Sequence, residues 1–223
     1  MKKNSFLAVV AAITFVFSSC SSEEVSPLDN NQTSLLKSYK IKRDATGAYS
    51  VEFDVNENTK IDKLVDASQN KSEYLLSSSD IKTKEDFSHA LLIDNDQLKV
   101  SIVDANTNQK SSISVIDDNI QLQRKGNSEM LAGYSVQGNE AGTFNLEFDV
   151  NDNVAVSFVY NETISTYEIH LEEGSSDNNS FSRTLEKEAG EPLKIDFVNH
   201  VNNPNAKSTE LAMITRKPEV IIN

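Results

Sequence analysis

Tryptophan is absent from this chain, and cysteine occurs once, at position 20. A lone cysteine excludes an internal disulfide and a thiolate-bound metal. The fold must then be held by core burial, for which about 200 residues suffice. The missing tryptophan removes the flat ring most often used to stack on a sugar, and six tyrosines remain. Basic side chains are also scarce, 21 against 34 acidic ones. That balance excludes a nucleic-acid partner, whose phosphates need a basic footprint. It equally argues against a domain lying flat on anionic lipid. No His-Glu-x-x-His, Gly-x-Ser-x-Gly, P-loop or dinucleotide fingerprint occurs. The sequence therefore offers no catalytic residue, no cofactor and no metal site.

What is present begins at the N-terminus. Lys2 and Lys3 precede the apolar run Phe6–Phe17, broken only by Thr14, and small residues lead to Cys20. This is the pattern of a secretory signal. The run is shorter than the roughly 20 apolar residues that cross a bilayer. Phe17-Ser18-Ser19-Cys20 resembles the lipobox of bacterial lipoproteins, especially those of the Bacteroidetes, with Phe17 where leucine is usual. The resemblance implies a signal peptide over 1–19, lipidation of Cys20, and a lipidated flexible tether over 20–34. Glu23-Glu24 is similar to the surface-export signal of that group, and implies an outer-membrane, outward-facing protein. Loss of residues 1–19 takes away Lys2 and Lys3, leaving 19 basic and 34 acidic side chains, a net charge of −15.

The folded part is an internal repeat. Leu36-Lys-Ser-Tyr39 through Gly47-Ala-Tyr-Ser-Val-Glu-Phe-Asp-Val-Asn-Glu-Asn58 recurs, 95 positions on, as Leu131-Ala-Gly-Tyr134 through Gly142-Thr-Phe-Asn-Leu-Glu-Phe-Asp-Val-Asn-Asp-Asn153. Phe87, Ser88 and Leu91 match Phe181, Ser182 and Leu185, and Leu98-Lys99-Val100 matches Leu193-Lys194-Ile195. Tyr49, Val51, Phe53 and Val55 alternate with polar residues, as do Phe144, Leu146, Phe148 and Val150. Period two means strands with one wet face. Further strands are expected at Tyr39–Lys42, Leu98–Asp104, Ser111–Ile116, Ile120–Gln123, Val154–Tyr160, Thr163–Leu171, Leu193–Asn199 and Glu210–Thr215. Lys60–Ala67 carries Ile61, Leu64 and Val65 at helical spacing and predicts a short helix or an irregular crossing. The expected fold is all-β, two tandem immunoglobulin-like sandwiches of about 100 residues each, over 35–128 and 129–223.

Few residues suggest chemistry. His170 is out of phase with Tyr167, Ile169 and Leu171 and is expected to face water. His89 aligns with Arg183, and His200 is expected in a loop. Asp54-x-Asn56-x-Asn58 and Asp149-x-Asn151-x-Asn153 resemble the start of a calcium loop, but Thr59 and Val65, then Val154 and Tyr160, replace the glycine and glutamate an EF-hand needs. They read as strand ends entering turns, with calcium held jointly with distant carboxylates as the alternative. Tyr39, Tyr134 and Tyr49 match between copies and are expected in the core. Tyr74, Tyr160 and Tyr167 have no matched partner and are the candidates for exposed rings. The loops 104–110 and 201–207 are expected as solvated hairpin ends.

These features suggest a non-enzymatic cell-envelope lipoprotein, bound to the membrane through Cys20 and acting as a binding or protein-interaction module. The alternative is an accessory glycan- or nutrient-binding lipoprotein beside an outer-membrane transporter. An enzyme built from scattered carboxylates is the third reading. No ligand-binding residue can be assigned from the sequence.

Overall fold

The computed structural model describes residues 33–66, 71–80, 87–93, 96–117, 130–139, 142–188, 190–201 and 213–223 (only the backbone at 201 and 213–217). Cys20, the signal segment, the strand expected at 120–123, the boundary at 128/129 and the loop 202–207 lie outside the described residues. Thr33–Asn223 forms one compact unit. No helix of the described residues is long and apolar enough to cross a membrane.

The chain is all-β. The first copy supplies β1 (Leu36–Arg43), β2 (Tyr49–Val55), β3 (Thr59–Asp66), β4 (Lys71–Ser78), β5 (Ser88–Leu91), β6 (Gln97–Asp104) and β7 (Gln109–Ile116). The second supplies β8 (Leu131–Asn139), β9 (Thr143–Val150), β10 (Val154–Asn161), β11 (Thr166–Glu173), β12 (Ser180–Glu186), β13 (Leu193–Val201) and β14 (Met213–Ile222). Alternation in sequence becomes alternation in burial. On β9, Phe144, Leu146, Phe148 and Val150 are buried, while Asn145, Glu147 and Asp149 face water. The described part of Lys60–Ala67, residues 60–66, is not helical: Thr59–Asp66 is the edge strand β3, paired along its length with β4. Its apolar residues read as helical because an edge strand has no core to enforce alternation; Leu64 and Val65 are exposed.

The copies repeat down to their turns. Gly47 and Gly142 both take left-handed φ, +82° and +74°, as do Asn58 and Asn153, at +65° and +61°. Glycine and asparagine are the residues that tolerate this region. Backbone bonds recur too: Gly47 N–H to Asp44 O matches Gly142 N–H to Asn139 O, and Ser79 N–H to Asn58 O matches Gly174 N–H to Asn153 O.

The copies do not fold as separate sandwiches. They share two sheets, one ordered β12-β9-β8-β1-β2-β5, the other β10-β11-β13-β14-β7-β6-β4-β3. The joins are antiparallel β1/β8 and β7/β14. Ile41 stands opposite Val136, its own equivalent in the repeat, and Ser114 opposite its equivalent Ile221. Both joins are thus centred on the repeat's own two-fold. Within each copy one neighbour pair is parallel, β4/β6 and β11/β13. The inward side chains of both sheets form one apolar cluster, including Ile41, Val136, Leu98, Ile113, Ile195, Phe197 and Val220. Full burial of each such side chain stabilises the fold by about 1.5–3 kcal/mol.

Residues 33–117 expressed alone would expose β1 and β7 as unpaired edges. That fragment is expected to self-associate through them, read by light scattering after size exclusion. A folded monomer would show that the shared sheets are dispensable.

Candidate functional site

The two-fold relation is broken at one place, and the break opens a cleft. In the first copy, Arg43, at the end of β1, is buried and its Nε donates to Asp117 Oδ2 at 2.9 Å. The Tyr49 hydroxyl donates to the same oxygen at 2.7 Å, and the Tyr49 and Tyr134 hydroxyls lie 3.1 Å apart. Tyr134 packs against Phe197, ring centroids 5.2 Å apart. Burial, then the nearby Tyr134 and Asp117, push the Tyr49 hydroxyl far up, so it stays a donor. One end of the core is thereby filled with an ion pair and two tyrosines.

At the opposite end three equivalent positions are smaller or less polar and the fourth is unchanged. Gly138 stands where Arg43 does, Phe144 where Tyr49 does, Ile102 where Phe197 does, and Tyr39 where Tyr134 does. These four residues line a cavity of about 510 Å³, within the range typical of small-ligand sites. A Cβ on Gly138 would lie 2.8 Å from Tyr39 Cζ and 2.9 Å from Phe144 Cε1, so no other residue fits beneath the Tyr39 ring. Tyr39 is only 5% exposed. Its hydroxyl has no partner among the described residues, because Phe144 lacks the oxygen that Tyr49 offers Tyr134. Burial raises its pKa, which keeps it a neutral donor.

The rim carries Lys37, Lys110, Lys187 and Glu188. Asp104 lies beside it but is already engaged: Oδ2 accepts from Leu35 N–H at 2.6 Å and the Ser34 hydroxyl at 3.0 Å, and Oδ1 from Asn106 N–H at 2.9 Å. Burial pushes this carboxyl up, but the bonds from Leu35, Ser34, Thr107 and Asn106 outweigh it and hold it below the usual range. Asp104 therefore fixes the wall and is not itself a ligand group. A wider depression of about 670 Å³ lies over Lys40, Lys42, Glu52 and Glu147, outward residues of the six-stranded sheet. It is shallower.

The residues singled out from the sequence are scattered. Tyr74, a candidate exposed ring, is fully buried against Phe53 and His89. It fills the core because β4 lies inside the eight-stranded sheet. Tyr160 is 44% exposed and packs its ring on Tyr167, centroids 4.8 Å apart. His89 lies half-buried on β5 with no partner for Nε2, and burial, then Lys63, lower its pKa. His200 is not in a loop but on β13, where parallel pairing with β11 sets its Nε2 2.8 Å from His170 Nδ1. Asn58 and Asn153 occupy the left-handed turn positions between β2 and β3 and between β9 and β10. Among the described residues, no three His, Cys, Asp or Glu side chains already converge on one metal position. The cleft is not readable in advance: the sequence places Tyr39 in the core, but the loss of its partner shows only once Tyr49 is known to bond Tyr134 in the other half.

No family model matches the chain, and neither does any curated protein or solved structure.

The filled end supplies a test of the asymmetry. Asp117→Ala leaves the Arg43 guanidinium buried without its carboxylate, expected to cost about 3–5 kcal/mol of stability. Urea unfolding checks it. A change below about 1 kcal/mol would mean that the pair is solvent-screened.

Proposed function

We propose that this chain is a non-enzymatic binding module of the cell envelope, exported and held on a lipid at Cys20, and that it takes a small polar ligand in the cleft beneath Tyr39. The observation that carries this reading is the Tyr39 hydroxyl, which belongs to a cleft-lining ring and makes no hydrogen bond to the described residues. A ligand oxygen or nitrogen at that point would take the place of water on it. The three lysines on the rim favour a ligand bearing negative charge, in a chain that is otherwise acidic. The lipobox resemblance at Phe17–Cys20 supports the membrane attachment, and Glu23-Glu24 the outward orientation.

Within this reading each repeat is an immunoglobulin-like unit. Support comes from its seven strands, three in one sheet and four in the other, the number and split of a constant-type domain. The parallel neighbours β4/β6 and β11/β13 depart from that plan, whose sheets are antiparallel.

The glycan-binding alternative rests on a different observation, the exposed Tyr160 packed on the half-buried Tyr167. It lines a smaller cleft of about 220 Å³ with Glu186, Glu188, Glu191 and Lys194. Two tilted tyrosine rings beside carboxylates and lysines can hold a sugar.

Two measurements separate these readings. Tyr39→Phe is expected to leave the fold intact and its stability within about 1 kcal/mol, since it deletes a hydroxyl that bonds no described residue. Native mass spectrometry of protein purified from membranes should show a small molecule retained by the parent and lost from Tyr39→Phe. Retention in Tyr39→Phe but loss in Tyr160→Ala would move the site to the glycan cleft. Cys20→Ala is expected to release the protein from the membrane fraction; unchanged flotation with membranes would overturn the lipid anchor.

A further inference from the structure

We propose that His170 and His200, completed by Glu172, bind a single divalent ion of the zinc type on the outward face of the eight-stranded sheet. The site is remote from the Tyr39 cleft and does not depend on it.

Strand geometry brings the groups together. His170 and Glu172 are two apart on β11 and so share a face. The inward face of the same strand is taken by Ile169 and Leu171, both fully buried. Parallel pairing sets His200 of β13 directly beside Glu172. The bulge in the β13/β14 pairing between Asp196 and Val198 lies just upstream of His200. The imidazoles stack at 25° with centroids 5.1 Å apart. His170 Nδ1 and His200 Nε2 are 2.8 Å apart, and Glu172 Oε1 lies 3.8 Å from the same His200 nitrogen.

Glu168 determines which nitrogen can ligate. It is almost wholly buried, and its Oε2 stands 3.2 Å from His170 Nε2. A carboxylate accepts, so His170 carries its proton on Nε2, and the Nδ1 lone pair is directed at His200. His200 must then place its own proton on Nε2 to make the 2.8 Å bond. This is the arrangement that orients a metal-binding histidine, with a carboxylate behind the ring holding the tautomer. Asn161 Nδ2, 3.2 Å from Glu168 Oε1, holds that carboxylate in turn.

A metal enters by replacing the shared hydrogen. The His200 proton moves from Nε2 to Nδ1, and both facing lone pairs bind the ion, so no net proton is lost from a neutral pair. Two nitrogens at about 2.0–2.1 Å from a tetrahedral ion are about 3.3 Å apart, so the rings must open by about 0.5 Å. The third donor is not yet in place. Glu172 is the mobile member, with 59% of its side chain exposed, and it closes the set by rotating about its own bonds. Water takes the fourth position. Two imidazoles with one carboxylate suit zinc, copper or nickel, whereas calcium and magnesium require an all-oxygen shell.

The test is calorimetric titration of the untagged full chain with zinc chloride in a buffer that does not chelate zinc, with cobalt(II) absorption as a second probe. One ion per chain is expected, with the visible band of tetrahedral cobalt. His170→Ala and His200→Ala should each abolish saturable binding. Glu168→Gln should weaken it by about 10–100-fold through the orienting bond, with circular dichroism unchanged. Imidazole ¹⁵N spectra of the parent protein avoid any question of variant folding: zinc should shift His170 Nδ1 and His200 Nε2 and leave His89 unmoved. Equal uptake by the His170→Ala/His200→Ala double variant, shifts confined to other residues, or no saturable heat up to about 1 mM zinc would overturn the proposal and leave a hydrogen-bonded histidine pair.

Discussion

The molecule depends on two antiparallel strand pairings, β1 with β8 and β7 with β14. Each joins a strand of one repeat to its own equivalent in the other. Without them, each copy would present two long bare edges, and a bare edge pairs with whatever strand it meets. With them, the fourteen strands of the described residues become two sheets that enclose one core. No disulfide is available to hold the copies together, so the shared hydrogen bonds and the apolar layer between the sheets do so.

The same symmetry explains the site. Residues on the two-fold, Ile41 and Val136, are alike in size and equally buried. Further out, the copies were free to diverge. One end closed around Arg43, Asp117, Tyr49 and Tyr134, while the other lost bulk at Gly138, Phe144 and Ile102. Tyr39 and Tyr134 are the same residue in the repeat, yet one hydroxyl is bonded and the other waits for a partner. The candidate binding cleft is a difference between two otherwise matched halves.

Much of the fold was legible in the sequence because it is local. The repeat, the alternation on β2 and β9, and the turn residues Gly47, Gly142, Asn58 and Asn153 act within a few positions of themselves. The helical spacing in 60–67 misled because Leu64 and Val65 stand on an edge strand, where nothing enforces period two. Tyr74 misled for the converse reason: it has no aromatic counterpart in the repeat, but Ile169, the residue that does match it, is fully buried in its place. The sharing of sheets, the cleft, and the meeting of His170 with His200 all depend on which distant strand lies alongside. Pairing partners 30 or more residues away leave no mark on local periodicity.

The joining of the repeats also shapes how this chain must fold. Ser38 and Gln137 are 99 residues apart, yet share a hydrogen bond across the β1/β8 seam. Such pairing raises contact order and slows the search for the native state. When the first repeat leaves a ribosome or a translocation pore, its partners for β1 and β7 do not yet exist. A chain of this kind is exposed to mispairing for as long as its second half is missing. Its passage to the folded state belongs after the second repeat has been made, under whatever guards nascent strands at that point.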